Sequence, residues 1–475
     1  MSLRWLWVVS VATLLGCAPE QDWMTLFDGQ TLDGWRASEN KNAFRIEEGA
    51  IVCDGERSHL FYEGPDGNAV FRNFEFSADV KTTPGANSGI YFHTKYQEKG
   101  WPEAGYEAQV FNSHRPTDGN GYIERKMTGS LYAIRNTYKS PASDKSWFNY
   151  RIRVQGKTIR IYIDDHLISD YTEPENPWRR DNMIGRVLSE GTFALQCHDP
   201  KSTVYYKNIR VRPLPDDMAT PGLPLQDREL DQRLTELAGK NFPLIDLHVH
   251  LKGGLEKFEA LARARKFGYT YGFAINCGLN FPINSDEALN EYLTEYEKPP
   301  HTYLAMQAEG REWRDLFSKT AIEKFDYVFT DAMTWTNKNG KRMRLWIPEE
   351  TEIGDKQDFM EQLVSQIETI FSTEPVDIYV NPTYLPNEIA DEYDELWTPE
   401  RMDRVIKTLV ENNVALEINA LRNIPSPAFL KRAKKGGVKF TFGTNNRSDE
   451  ELGHMEYCLD MIEQLDLKAS DMWIP

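Results

Sequence analysis

The chain has 475 residues, 40% hydrophobic and 27% charged, with 73 acidic against 55 basic side chains and a net charge of −18. That length exceeds what one core organises and suits two domains. The composition excludes a disordered chain, and the acidity excludes a basic surface for nucleic acid or anionic lipid.

The first residues, "MSLRWLWVVSVATLLGCAPE", carry an early Arg4 and an apolar run too short to cross a bilayer comfortably. They read as a signal peptide over 1–16. Its end, Leu14-Leu15-Gly16-Cys17, resembles the bacterial lipobox. That resemblance implies lipidation of Cys17, a short tether over 17–22, and a place in the bacterial cell envelope, periplasmic or outer-surface, with the lipid anchor as the sole membrane contact. The alternative is a plain secretory signal with an incidental cysteine. The remaining cysteines, Cys53, Cys197, Cys277 and Cys458, lack CxxC spacing, so neither a zinc knuckle nor a dense disulfide framework is expected. A Cys53–Cys197 bridge stays open.

From 23 to 213 the chain reads as short strands of period two. Examples are "FEFSADVKT", "SGIYFHTK", "GYEAQVFNS" and "FNYRIRVQGKTIRIYIDDHLI", in which "QGK" reads as a hairpin. No amphipathic helix interrupts, so the expected fold is an all-β sandwich or jelly roll. Residues 214–241 form the linker, proline-rich at first ("PLPDDMATPGLPLQ") and then amphipathic ("DRELDQRLTELAG"). From 242 to 475 seven strand-like runs alternate with helical ones, "KQDFMEQLVSQIETIF", "TPERMDRVIKTLVENN" and "SDEELGHMEYCLDMIEQL" among them. This predicts a parallel sheet closed as a (β/α)7 barrel with its site at the carboxyl ends of the strands.

Alternation also groups chemistry on the sandwich strands. Asn87, Gly89, Tyr91 and His93 share a face; so do Glu107 with Gln109, Ser130 with Tyr132, and Gln196 with His198. A sheet face so lined suits a sugar, with rings to stack on C–H faces and amides and carboxylates to bond hydroxyls. The ordered set "TLFDGQTLDGWR", "NSGIYF", "GYEAQVFN", "TGSLYA", "SWFNYRIRVQGKTIRIYIDDHLI" and "YYKNIRVRPL" resembles the 3-keto-disaccharide hydrolase domain. The resemblance implies a concanavalin-like jelly roll that cleaves glycosides whose sugar is oxidised at C3. A C3 ketone acidifies the C2 hydrogen; a base removes it, the enolate expels the aglycone, and water adds later. On face and chemistry, His93, Glu107 and His198 are candidates for the base or for ligands of an auxiliary metal. Asn87, Tyr91, Gln109, Ser130, Tyr132 and Gln196 are candidates for substrate contact.

In the barrel, "DLHVH" places Asp246, His248 and His250 at alternate positions of the first strand. Glu309 and Asp331 end the third and fourth, Asn381 the fifth, Glu417 and Asn419 the sixth, and Asn445 and Asn446 the seventh. "DLHVH", "QAEGRE" and "ALEINA" resemble the polymerase and histidinol phosphatase (PHP) superfamily of metal-dependent hydrolases. The resemblance implies a distorted seven-stranded barrel and ligand roles for His248, His250 and Glu309. Asp246 and Asp331 complete a plausible set for one divalent ion, zinc, manganese or iron. Asn381 and Asn445 stand where the family places ligands, and asparagine is a poor one.

The sequence thus predicts a carbohydrate-processing hydrolase acting on an oxidised oligosaccharide or glycoside, with a second, metal-dependent hydrolase-like barrel. Two alternatives remain: a surface glycan-binding lipoprotein with a degenerate barrel, or a PHP-type phosphoesterase or amidase with a carbohydrate-binding module.

Overall fold

The strand Phe148–Gln155 shows how the first half is built. Phe148, Tyr150, Ile152 and Val154 are buried, while Asn149, Arg151, Arg153 and Gln155 between them reach solvent. One dry and one wet face is what period-two alternation demands. The hairpin after it turns at Gly156, with Gln155 opposite Thr158, as "QGK" predicts. The next turns on Asp164 and Asp165, both left-handed (φ 45° and 68°), which matches the twist of the flanking strands.

The computed structural model describes residues 22–115 and 122–475; the leader and Cys17 lie outside them. One antiparallel sheet runs His166–Thr172, Thr158–Ile163, Phe148–Gln155, Phe74–Thr82, Thr203–Pro213, Ala50–Asp54, Phe44–Glu47, with Met24–Thr25 also paired to Thr203–Pro213. The second runs Trp35–Ala37, Ser58–Tyr62, Thr192–Cys197, Asn87–Thr94, Tyr106–Phe111. Phe76, Tyr150 and Ile152 face Ile90, Phe92, Val110 and Leu195 across the core. The neighbouring strands Asn87–Thr94 and Tyr106–Phe111 at one end of the second sheet are buried along their whole length, because loops cover the far face too. Polar residues on that far face must therefore find partners or a ligand. Cys53 and Cys197 are buried free thiols, the latter donating to the Gly55 carbonyl at 3.3 Å.

Asp227 caps the linker helix Arg228–Gly239 by accepting from Leu230 N–H. Seven parallel strands then close a barrel: Ile245–Val249, Thr270–Cys277, Tyr303–Ala308, Tyr327–Thr330, Ile378–Tyr379, Ala415–Asn419 and Phe440–Gly443. All seven fall on the strand-like runs of the sequence. Helix Pro399–Glu411 is typical of the outer layer, with Thr398 as cap, Pro399 opening the first turn, and Met402, Val405, Ile406 and Leu409 buried at helical spacing. The helix expected over "SDEELGHMEYCLDMIEQL" forms only at Glu456–Gln464. Upstream, Gly453 takes φ 92° and packs so close to Phe267 that an added Cβ would meet its ring at 2.9 Å.

The two halves are in direct contact. Arg135 of the sandwich forms a buried ion pair with Asp231 of the linker helix and donates to the Lys266 carbonyl at 2.9 Å. Tyr138 enters the barrel's apolar core, and its N–H donates to Thr270 Oγ1 at 3.0 Å. Among the described residues no helix is long and apolar enough to cross a membrane.

Candidate active site

The register of the second sheet assembles the sandwich site. Tyr91 lies opposite Glu107, Gly89 opposite Gln109, and His59 opposite Gln196, so these residues share the face turned away from the core. Tyr91, Glu107, Gln109 and Gln196 of this face line a cavity of about 260 Å³ with Asn87, Trp101, Glu124, Tyr132, Arg186 and His198. Glu107, 5% exposed, is its centre. Its Oε2 accepts from Tyr91 Oη (2.8 Å) and Arg186 Nη2 (3.3 Å), and its Oε1 from Gln196 Nε2 (3.0 Å). Burial and the Glu107 charge hold the Tyr91 phenol well above its ordinary pKa, so it stays a neutral donor. Burial works against the Arg186 cation, but Tyr91 and Glu107 outweigh it and its pKa rises.

Gly89 is the floor. A Cβ there would sit 2.6 Å from Glu107 Oε1, so only glycine leaves the carboxylate its place. Two acceptors of the lining residues, Gln109 Oε1 and Gln196 Oε1, are buried without a partner, although the Gln109 amide nitrogen donates to Asn87 Oδ1 at 3.3 Å. At the rim, His198 Nδ1 donates to Asp199 Oδ2 at 2.7 Å. Arg115 grips the same carboxylate with both Nη atoms (3.1 and 2.8 Å). Burial pushes the Asp199 pKa up, but the bonds from His198 and Arg115 win and hold it well below the carboxylate range. A carboxylate that only accepts fixes the proton on Nδ1 and leaves His198 Nε2 a lone pair. Trp101 lies against the imidazole, with ring centroids 5.2 Å apart.

Seven of the nine sandwich residues singled out from the sequence line this cavity: Asn87, Tyr91, Glu107, Gln109, Tyr132, Gln196 and His198. Two do not. His93 takes φ 54° where the pairing with Thr192–Cys197 slips register, and this bulge swings its ring onto Phe74 and Phe92. Its Nδ1 accepts from Ser189 N–H (3.3 Å) and its Nε2 donates to the Arg72 carbonyl (2.8 Å), while burial lowers its pKa to about 4. It is a neutral structural histidine with no nitrogen left for catalysis. Ser130 closes its own loop, accepting from Thr137 N–H at 2.9 Å and donating to the Thr137 carbonyl. Sequence reasoning missed Trp101, Glu124 and Arg186, which sit in loops with no periodicity to read. It also missed His59, buried against Phe61, Tyr91 and Trp101 with both ring nitrogens unpartnered; its register with Gln196 was the available signal.

The barrel mouth is arranged differently. Asp246 does not point into it. Its Oδ1 accepts from the N–H groups of Thr444 (3.0 Å) and His248 (3.2 Å), and its Oδ2 from the Thr444 hydroxyl, so it ties the last strand to the first. His248 Nδ1 donates to Glu417 Oε1 at 2.6 Å, and its buried Nε2 has no partner. Glu417 Oε2 accepts from Asn381 N–H (2.6 Å) and Asn419 Nδ2 (3.0 Å). Asn381 Oδ1 in turn accepts from Asn445 Nδ2 at 2.7 Å. Asn381 and Asn445 both adopt left-handed backbone (φ 46° and 47°), which asparagine tolerates better than most residues. Glu309 accepts from Asn276 (2.7 Å) and Gln307 (2.9 Å); burial and the Asp331 charge raise its pKa to about 7. Burial raises the Asp331 pKa as well, and its Oδ1 accepts from Met333 N–H at 2.9 Å. His250 is held through its backbone by Asn446, and burial keeps its imidazole well below its ordinary pKa.

One nitrogen here fits a metal, because His248 has one ring nitrogen held by a carboxylate and the other open. The set as a whole does not fit. Among the described residues no three His, Cys, Asp or Glu side chains are grouped to hold an ion, Asp246 is spent on Thr444 and His248, and asparagines stand at 381 and 445.

A family profile described as the 3-keto-alpha-glucoside-1,2-lyase-like domain matches residues 22–212. A 3-keto-disaccharide hydrolase of Bacteroides thetaiotaomicron is 32% identical over 229 residues, spanning 40% of this chain and 78% of that protein. The chain belongs to the 3-keto-disaccharide hydrolase family. Among solved structures, a Parabacteroides distasonis protein provisionally described as a glycosyl hydrolase is 20% identical, covering 41% of this chain and 94% of its own, with a TM-score of 0.36. The histidinol phosphate phosphatase of Lactococcus lactis, complexed with zinc, L-histidinol and phosphate, is 15% identical over 47% of this chain and 94% of its own, with a TM-score of 0.35.

Two expectations follow for this family member. Gly89→Ala should displace Glu107 from its donors and cost about 1–3 kcal/mol of stability, read as a lowered Tm; an unchanged melting curve would contradict the floor role. Purified protein should carry no stoichiometric zinc, manganese or iron at the barrel. One equivalent per chain, present in wild type and lost in His248→Ala, would show that the barrel holds a metal after all.

Proposed function

We propose that the sandwich cleaves glycosides of a sugar oxidised at C3, by proton removal at C2 and elimination at C1, followed by hydration. The observation that carries this reading is the His198–Asp199 pair on the wall of a cavity whose inner surface holds Arg186, Glu107 and two unpartnered amide oxygens. Family membership over residues 22–212 supports the same substrate class.

The residues divide the work by their chemistry. His198 Nε2 takes the C2 proton while Asp199 supports the resulting imidazolium. The electron pair moves into a C2–C3 double bond, and charge develops on the C3 oxygen. Arg186, fixed by Glu107 and lying over the Tyr91 ring at 5.0 Å, is the donor for that oxygen. The enolate collapses and breaks the C1–O bond, and the imidazolium returns its proton to the departing oxygen. Water then adds across C1–C2. The amide oxygens of Gln109 and Gln196 accept from sugar hydroxyls, and Trp101 offers a stacking face. Glu107 is placed to fix Arg186 and Tyr91 rather than to attack, and the ordinary glycosidase pair of opposed carboxylates is not required.

The leader supports export and anchoring at Cys17 as part of this reading. Lipid labelling in a bacterial host should mark the wild type and disappear in Cys17→Ser; equal labelling of both would remove the anchor. For the chemistry, His198→Asn should lower kcat on a 3-keto glucoside roughly 100- to 10,000-fold with the melting temperature retained. Undiminished turnover would remove His198 as the base.

A further inference from the structure

Two loops of the sandwich that line the cavity are both held by the turn Gly239–Asn241 that leads from the linker helix into the barrel; the first is also held through Arg125 Nη2, which donates to the Ala469 carbonyl at 3.4 Å. The first loop carries Glu124, Lys126 and Tyr132. Asn241, 7% exposed, reaches it three times. Its Oδ1 accepts from Arg125 N–H (3.1 Å) and Lys126 Nζ (3.2 Å), and its Nδ2 donates to the Ile123 carbonyl (2.6 Å). Lys126 in turn donates to Glu124 Oε1 at 2.8 Å and lies 4.5 Å from the centre of the Tyr132 ring. Both members of this pair are buried, with side chains 2% and 8% exposed. The second loop carries Asn182, Met183 and Arg186. It is held through Arg180, whose Nη1 donates to the Gly239 carbonyl at 2.6 Å. Gly239 has no Cβ because one would lie 2.7 Å from Arg180 Cδ.

We infer that Asn241 is a positioning residue for the sandwich cavity: from the barrel side it holds Lys126, whose partner Glu124 lines the sugar site. The inference rests on the sugar-cleavage reading for its substrate, and on geometry alone for its tether. A buried lysine needs its charge compensated. Glu124 supplies the charge and Asn241 a further acceptor, so removing the amide leaves buried Lys126 one acceptor poorer and frees the Ile123 carbonyl, while Arg125 N–H keeps its bond to Glu124 Oε1 at 2.9 Å. The wall should then loosen without any loss of the groups that touch substrate.

The backbone at Asn241 permits a clean test. Its φ of 59° suits glycine as well as asparagine, so Asn241→Gly removes the three bonds without straining the turn. Asn241→Asp keeps the oxygen that accepts from Arg125 and Lys126. In the full chain, backbone amide exchange over residues 122–132 should quicken at least about tenfold in the glycine variant, with the strand Asn87–Thr94 unchanged. On a 3-keto glucoside the glycine variant should raise KM about tenfold with kcat within about threefold of wild type, and the aspartate variant should restore most of the loss. Unchanged exchange, or loss of kcat and KM alike without rescue by aspartate, overturns the positioning role. Quickened exchange in a protein whose wild type leaves the ketosugar untouched supports the tether and overturns the sugar-cleavage reading instead.

Discussion

Glu107 is the point on which the sandwich depends. A carboxylate almost sealed from water costs several kcal/mol unless donors surround it, and its three side-chain donors come from three separated stretches of chain: Tyr91, Arg186 and Gln196. Satisfying them sets the pairing of three strands, demands glycine at position 89, and requires the loop through Arg186 to fold back over the sheet. That loop is fixed in its turn. Arg179 Nε donates to the Arg186 carbonyl at 2.6 Å, and its Nη2 donates to Tyr106 Oη at 2.7 Å, one residue from Glu107. The polar face is thus one connected structure, and its unpartnered oxygens stand out against it.

Strand periodicity carried much of this. Glu107 with Gln109, and Asn87 with Tyr91, can be placed on one face by counting, since the members of each pair are an even number of residues apart, two and four, on an extended strand. The same counting fails at His93, because a β-bulge inserts a residue that no alternation signals and sends the ring to the other side. Arg186 and Trp101 were illegible for a different reason. Loops have no period, and their positions are decided by distant partners such as Tyr106 and His59. In the barrel the strands could be read from their apolar runs, and His248 from its motif. The fate of Asp246 could not, because the hydroxyl that claims it belongs to Thr444, 198 positions away.

The two hollows differ in how their polar atoms are spent. At the barrel mouth Glu417, Asn381, Asn419 and Asn445 bond to one another, and the His248 Nε2 and Gln307 Oε1 atoms are left over. The amides supply both donors and acceptors, so Glu417 finds partners for both its oxygens among His248, Asn381 and Asn419. In the sandwich the carboxylate is likewise satisfied, but Gln109 and Gln196 keep acceptors open, and His198 keeps a nitrogen open on the cavity wall. Buried polar atoms without partners are rare in folded proteins because each costs about 1–3 kcal/mol. Where they line a cavity, a ligand's hydroxyls recover that cost.

The barrel is also tied into the molecule through its junction with the sandwich. Its junction with the sandwich holds the Arg135–Asp231 ion pair, with side chains 3% and 7% exposed, beside the bonds from Asn241 and Gly239. Loops that cover a sheet gain little stability from their own short-range contacts, and their order must come from something rigid behind them. The outer sheet cannot serve, since it packs on the opposite side of the site-bearing sheet. The linker helix and the barrel behind it can, because a closed seven-stranded ring offers a fixed base. On this argument the second domain matters to the first through the stiffness of the turn at 239–241, whatever chemistry its own mouth supports.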